Sequence, residues 1–231
     1  STIPVYPDWI KGIACALGSA GLAFLYSGDM IAFIVTVICS LIGYFGRTLS
    51  VRFGCNEYVG IAIGGFAAMV SAYGFYSHIE QDSLVYVLVC CTLFMIPGVP
   101  LINSVIDTIN NHILSGITRA IRTILIVGSM TLGMAMALYF SPMPAFSFVD
   151  IKPHVLSIEQ IIGSFTAAAS FAVLFNAPVR LLVSIGIGGV LCVFTRNLLA
   201  VEFGFSIPGA TFVGAAVMSV IYVKVSTWLR T

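Results

Sequence analysis

Eight apolar runs separated by short polar connections are the feature that most constrains this chain. A helix that crosses a bilayer needs about 20 mostly apolar residues. By that measure the runs read as helices at Trp9 to Tyr26, Met30 to Gly46, Tyr58 to Tyr76, Ser83 to Ile96 continuing past a break, Ile117 to Tyr139, Ile158 to Phe175, Val179 to Thr195 and Phe205 to Trp228. Only 8% of the residues are charged against 59% hydrophobic, whereas a soluble domain carries about 25% charged residues. The expected fold is therefore an all-α integral membrane protein with eight transmembrane helices.

Charge then orients the helices, because Lys and Arg favour the cytoplasmic ends of spans. With a cytoplasmic N-terminus, Lys11, Arg47, Arg52, Arg119, Arg122, Arg180, Lys224 and Arg230 fall inside, and only Lys152 and Arg196 fall outside. The expected location is the inner or plasma membrane, multi-pass. The net charge of +1 carries no sign of a nucleic-acid-binding face. Cys15, Cys39, Cys55, Cys90, Cys91 and Cys192 form no CxxC pair and read as small packing groups, so neither a metal nor a cofactor is expected. There is no HExxH and no paired intramembrane aspartate, so the chain does not read as an enzyme.

An internal repeat appears when the region after Ala168 is laid on the region after Ser19. Ala23-Phe-Leu-Tyr26 matches Ala172-Val-Leu-Phe175, and Phe45-Gly-Arg-Thr-Leu49 matches Phe194-Thr-Arg-Asn-Leu198. Phe53-Gly54 then matches Phe203-Gly204, and Gly64 matches Gly214. Five helices separate the copies, so the second runs opposite to the first, as in many secondary transporters. The expected organisation is a five-helix unit over residues 1–139, an external loop over 140–157, and the first three helices of an inverted unit over 158–231. A counterpart of the first unit's broken element is then expected downstream or in a separate subunit.

That element runs from Pro97 to His112. Pro97 lacks the donor that a helix needs and Pro100 disfavours helical geometry at Val99, so the fourth helix should end or kink near Ile96. Beyond it, Asn103, Asp107, Asn110 and Asn111 stand at i, i+4, i+7 and i+8, the spacing of one helical stripe. Broken backbone and ionisable groups at membrane depth are tolerated where they line a cavity or are buried in protein, so this stripe is the expected substrate site, with freed backbone groups around Gly98. A helix start at Leu101 would favour a carboxylate. Asp107 reads either as a proton-coupling group or as a structural partner of Arg119, Arg122 or His112. His112 reads as a proton relay or as a solvated helix end. Arg47 and Arg196 are repeat mates, with Glu202 a candidate partner for Arg196; Asp29 and Glu57 read as solvated. Gly12, Gly18, Gly21, Gly60, Gly64, Gly65, Gly128 and Gly133 read as points of close helix approach.

The motif Pro97-Gly-x-Pro-Leu-x-Asn-x-x-x-Asp107, continued by Gly116-x-x-Arg119, resembles the signature of the threonine/serine exporter family. The segment Phe171-Ala-Val-Leu-Phe-Asn-Ala-Pro-Val-Arg180 is similar to the opening of that family's second unit. The resemblance implies an exporter of ten helices in two related units. It would move small hydroxy amino acids, or dicarboxylates such as succinate in two-subunit relatives, using the proton gradient. Pro97, Gly98, Pro100, Asn103, Asp107, Gly116 and Arg119 take candidate importance from it. The hydrophilic region that usually precedes the first helix, and the last two helices with their own Pro-Gly element, lie outside the chain. The implied partners are a small polar substrate bearing a carboxylate, protons, the lipid bilayer and a subunit or segment carrying the second Pro-Gly element. A channel, or a scaffold that binds a partner without transporting, are the alternatives.

Overall fold

A computed structural model describes residues 6–27, 29–79, 81–141 and 157–228 of the chain. Most of the expected external loop, with Asp150, Lys152 and His154, lies outside the described residues, as does Arg230. The described residues form helices α1 (Asp8–Ser27), α2 (Met30–Arg52), α3 (Glu57–Gly74), α4 (Gln81–Cys90), α5 (Gly98–Ile109), α6 (Ile113–Phe140), α7 (Ile158–Leu174), α8 (Val179–Glu202) and α9 (Ile207–Trp228), with short 3-10 turns after α3 and α4 and no strand among them. Polar caps start several of these helices: Asp29 accepts from Ile31 N–H at 2.9 Å, Asn56 accepts from Tyr58 N–H at 3.1 Å, and Ser157 with Gln160 forms a capping box.

Five helices, α1, α2, α6, α8 and α9, are long and apolar enough to cross a membrane, and α4 with α5 makes a sixth if the bent pair is one span. The other two of the eight expected helices are shorter. α7 has 17 residues, and α3 has 18 with Glu57 and four glycines among them. The arrangement of side chains is that of a bundle made for lipid. Ala14, Ala16, Ser19, Ala20 and Ala23 of α1 are buried, whereas Ile117, Ile121, Ile124 and Leu132 of α6 face outward. Small groups inside and large apolar groups outside is the packing that helices adopt when hydrocarbon surrounds them.

The most extensive helix pair among the described residues is α1 with α7. A Cβ at Gly21 would lie 2.8 Å from both Ala167 N and Gly163 O, and one at Gly163 would lie 2.8 Å from Leu25 N. Gly18 approaches Ser170, Gly21 approaches Ala167 and Leu25 approaches Gly163, so residue numbers rise on α1 as they fall on α7. The helices are antiparallel. Residues 18 and 167, and residues 21 and 170, are each 149 apart, so the contacts 18–170 and 21–167 exchange under that offset. Elsewhere Gly64 of α3 meets Gly43 O and the Arg47 side chain, and Gly214 of α9 meets Cys192 O and Arg196 N. Gly54 and Gly204, which end α2 and α8, both take left-handed backbone, at φ 90° and 65°.

Of the glycines expected to mark close approach, Gly12, Gly18, Gly21, Gly60, Gly64 and Gly133 do so; Gly65 makes ordinary van der Waals contact, and Gly128 has open space within 4 Å. Gly21→Val should therefore lower stability by about 1–3 kcal/mol through overpacking. Gly128→Ala, with space for its methyl and better helix propensity, should be neutral or stabilising by up to about 1 kcal/mol. Thermal unfolding of the two variants in one detergent checks both.

Candidate functional site

The fourth apolar run breaks as its prolines require, but earlier and over more residues than expected. α4 ends at Cys90, a 3-10 turn covers Leu93–Met95, and α5 begins at Gly98 with its axis turned by 53°. Pro97 occupies the N-cap position of α5, where its missing N–H is not needed, and Pro100 sits in the first turn, where proline is tolerated. Gly98 N–H is bonded to Ile96 O at 2.9 Å and Leu101 N–H to Pro97 O at 3.1 Å. The helix start therefore lies at Gly98 and not at Leu101.

The four-residue polar stripe is not present, because α5 ends at Ile109. Asn111 adopts φ 62°, Asn111 N–H bonds Thr108 O at 3.1 Å, and His112 N–H bonds Asp107 O at 2.8 Å. This is a Schellman C-cap, in which asparagine is the usual substitute for glycine at the left-handed position. Asn110 and Asn111 are exposed in that turn, and His112 is exposed at the N-cap of α6. Asn103 and Asp107 keep a common face and are half-buried.

α5 folds back along α6. A Cβ at Gly116 would come within 2.9 Å of Ser104 O and would strike the Thr108 hydroxyl, so only glycine lets the helices approach there. Asp107 Oδ2 accepts from Ser115 Oγ at 2.8 Å and pairs with Arg119 Nε at 3.1 Å. Of the three structural partners offered for Asp107, the structure selects Arg119. The Arg119 side chain is 47% exposed, and a pair in that setting contributes about 0–1 kcal/mol.

Glu57, expected to be solvated, instead joins three helices: it pairs with Arg47 at 3.4 Å and with Arg122 at 2.9 Å. Arg52 pairs with Asp8 at 2.9 Å, and Tyr6 Oη donates to Ala177 O at 2.9 Å. With the Asp107–Arg119 pair, these contacts set Arg47, Arg52, Arg119 and Arg122 at one end of the bundle, and Lys11 lies beside Asp8, Arg47 and Arg52 there. Arg196 lies at the other end, as the charge pattern implied. Its partner is not Glu202: its Nε donates to Asn197 Oδ1 at 3.1 Å, its guanidinium lies 5.9 Å above the Tyr26 ring, and Asn197 Nδ2 donates to Gln160 Oε1 at 3.0 Å. Residue spacing could not reveal this, because Tyr26, Gln160 and Asn197 come from three helices.

The basic end also holds a cleft of about 700 Å³, lined by α1, α2, α7 and the residues before the break, including Lys11, Arg47, Phe94, Ile96 and Phe175. None of the residues of α5 lines it. No group of three or more His, Cys, Asp or Glu side chains able to hold a metal occurs among the described residues.

Residues 1–141 match a family model described as "Putative threonine/serine exporter", and residues 160–231 match a second, described as "Threonine/Serine exporter, ThrE". The chain belongs to the threonine/serine exporter family. Two curated relatives are each named "Probable succinate transporter subunit YjjP". The one from Klebsiella aerogenes is 25% identical over 141 residues, and the one from Escherichia coli K12 is 25% identical over 134 residues. Each alignment takes in 58% of this chain and 52% of the relative, so the chain spans about half the length of these relatives. No solved structure matches.

Asn111 as a cap and Asn111 as a substrate ligand differ in their consequence. Asn111→Gly should leave stability and function unchanged, whereas Asn111→Val, forced into left-handed backbone, should lose about 1–2 kcal/mol. Loss of solute binding in a stable Asn111→Gly protein would instead return the residue to the substrate site.

Proposed function

We propose that this chain is a secondary transporter that exports a small carboxylate-bearing metabolite, a hydroxy amino acid such as threonine or serine or a dicarboxylate such as succinate. The observation that carries the reading is family membership together with the broken α4–α5 pair. A break at membrane depth leaves backbone groups and polar side chains where a soluble substrate can reach them. The relatives named as succinate transporter subunits favour the dicarboxylate and the requirement for a partner subunit.

The proposed architecture is eight spans at the inner or plasma membrane, with the basic end in the cytoplasm and two units over residues 1–139 and 158–231 related by inversion. The antiparallel α1–α7 contact, its exchange of partners under a 149-residue offset, and the matched Gly64 and Gly214 contacts support the inversion. Alternating access in inverted repeats moves one unit against the other.

In this reading Asp107 couples proton flow to export. Protonation would release Arg119, loosen α5 from α6 and let the broken element move, with Asn103 on the same face available to the solute. The same salt bridge favours a second reading, in which Asp107 only holds the α5–α6 hairpin together. Efflux of succinate, serine and threonine from proteoliposomes holding the full-length protein and its partner subunit separates them. Asp107→Asn should lower gradient-driven efflux at least tenfold and leave unfolding temperature nearly unchanged, since the pair is weak. Unchanged efflux would leave Asp107 the structural role, and a protein that moves none of the three solutes would overturn export itself.

A further inference from the structure

The cleft at the basic end belongs to none of the residues that the Pro97 motif singled out, yet it has the composition of an anion site. Its walls include Lys11 from α1, Arg47 and Arg52 from α2, and the acids Asp8 and Glu57. Arg52 is neutralised by Asp8, and Glu57 is shared between Arg47 and Arg122. Lys11 has neither an ion-pair nor a hydrogen-bond partner for its ammonium among the described residues. The cleft therefore holds a surplus of positive charge. Phe94, Phe171 and Phe175 make an apolar wall, and the volume of about 700 Å³ falls within the ~300–1,000 Å³ of small-molecule sites. Ser19 continues the face of α1 that carries Lys11 and Cys15, two turns further along. Its hydroxyl is fully buried and has no hydrogen-bond partner.

The opposite end of the bundle carries the same positions in a different condition. An offset of 149 residues carries Lys11 to Gln160, Arg47 to Arg196 and Thr48 to Asn197, and carries Tyr26 to Phe175. There Arg196 lies over Tyr26, Tyr26 stacks on Tyr86 at 5.9 Å, and Asn197 is 1% exposed and bonded to Gln160. These groups satisfy one another, whereas their mates at the basic end surround open space.

We propose that the cleft between α1, α2, α7 and the α4 break binds the carboxylate of the transported solute, with the Lys11 ammonium as its principal contact and Arg47 as the second. The proposal rests on the export reading for its choice of solute and concerns binding alone. The Lys11 ammonium holds no ion pair or hydrogen bond among the described residues, so Lys11→Gln should not disturb folding. Arg47 can turn to a carboxylate without abandoning Glu57, which Arg122 continues to neutralise. The aromatic wall receives the hydrocarbon part of the ligand.

The test is the thermal shift of the full-length protein in nanodiscs of zwitterionic lipid, titrated with succinate and serine, with choline as the cationic control. Wild type should be stabilised by the carboxylates and not by choline. Lys11→Gln should weaken that response at least tenfold, Lys11→Arg should retain it within about threefold, and Arg180→Gln, outside the cleft, should leave it unchanged. An unaltered response in Lys11→Gln, or no response in wild type, overturns the proposal. So does a Lys11-dependent shift produced only by phosphatidylglycerol in the disc, which would make the cleft a headgroup site. Efflux that persists in Lys11→Gln with unchanged binding removes the cleft and leaves export standing. Lys11-dependent binding in a protein that moves no solute does the reverse.

Discussion

The backbone-to-backbone meeting of α1 and α7 is the constraint on which the rest of the molecule depends. Where Gly21 and Gly163 face each other, no Cβ fits, so the helices approach as closely as their main chains permit. In hydrocarbon no hydrophobic effect drives helices together, and close van der Waals packing of small residues takes its place. This contact is the most extensive junction between the first five apolar segments and the last three among the described residues. It also sets where the two ends of the bundle lie, because the same antiparallel pair brings Tyr6 to Ala177 at one end and α1 Tyr26 to α8 Arg196 at the other.

Around that axis the charged residues do structural work at the basic end. Glu57 ties α3 to α2 and α6, Asp8 ties α1 to the end of α2, and Asp107 ties α5 to α6. Each pair is individually weak, yet together they secure helix ends whose outward faces are apolar and make no polar contact. Lys11 stands apart from this network: its ammonium has no ion pair or hydrogen bond among the described residues. The α5–α6 hairpin is attached differently, through Gly116 against Ser104 and Thr108 and through Asp107. Its opposite face, with Leu101, Ile102, Val105 and Ile109, is exposed.

Much of this was legible in order along the chain. Helix positions followed from apolar runs, and the break followed from Pro97 and Pro100, whose effects on backbone are local and obligatory. The segregation of Arg196 from the other cations followed from counting basic residues by segment parity. The stripe of Asn103, Asp107, Asn110 and Asn111 misled because periodicity continues in a sequence after a helix has stopped. Asparagine at a left-handed cap and asparagine on a polar face look alike. Glu57 was misjudged for a related reason: a charge at a helix end reads as solvated, and nothing in its neighbours says whether another helix brings a partner.

What the sequence by itself determined is the class of solvent, the set of helices, the place of the break, the end to which most positive charge goes and the family. These depend on composition, local backbone chemistry and short motifs, all of which act within a few residues. Only the tertiary structure decided which charges neutralise one another, that Asp107 faces Arg119, that Arg196 stacks on Tyr26, and that an open cleft lies beside Lys11. Those outcomes depend on which helices touch and at what height. That is set by small residues meeting across distances of more than a hundred positions along the chain, where no local pattern records the partner.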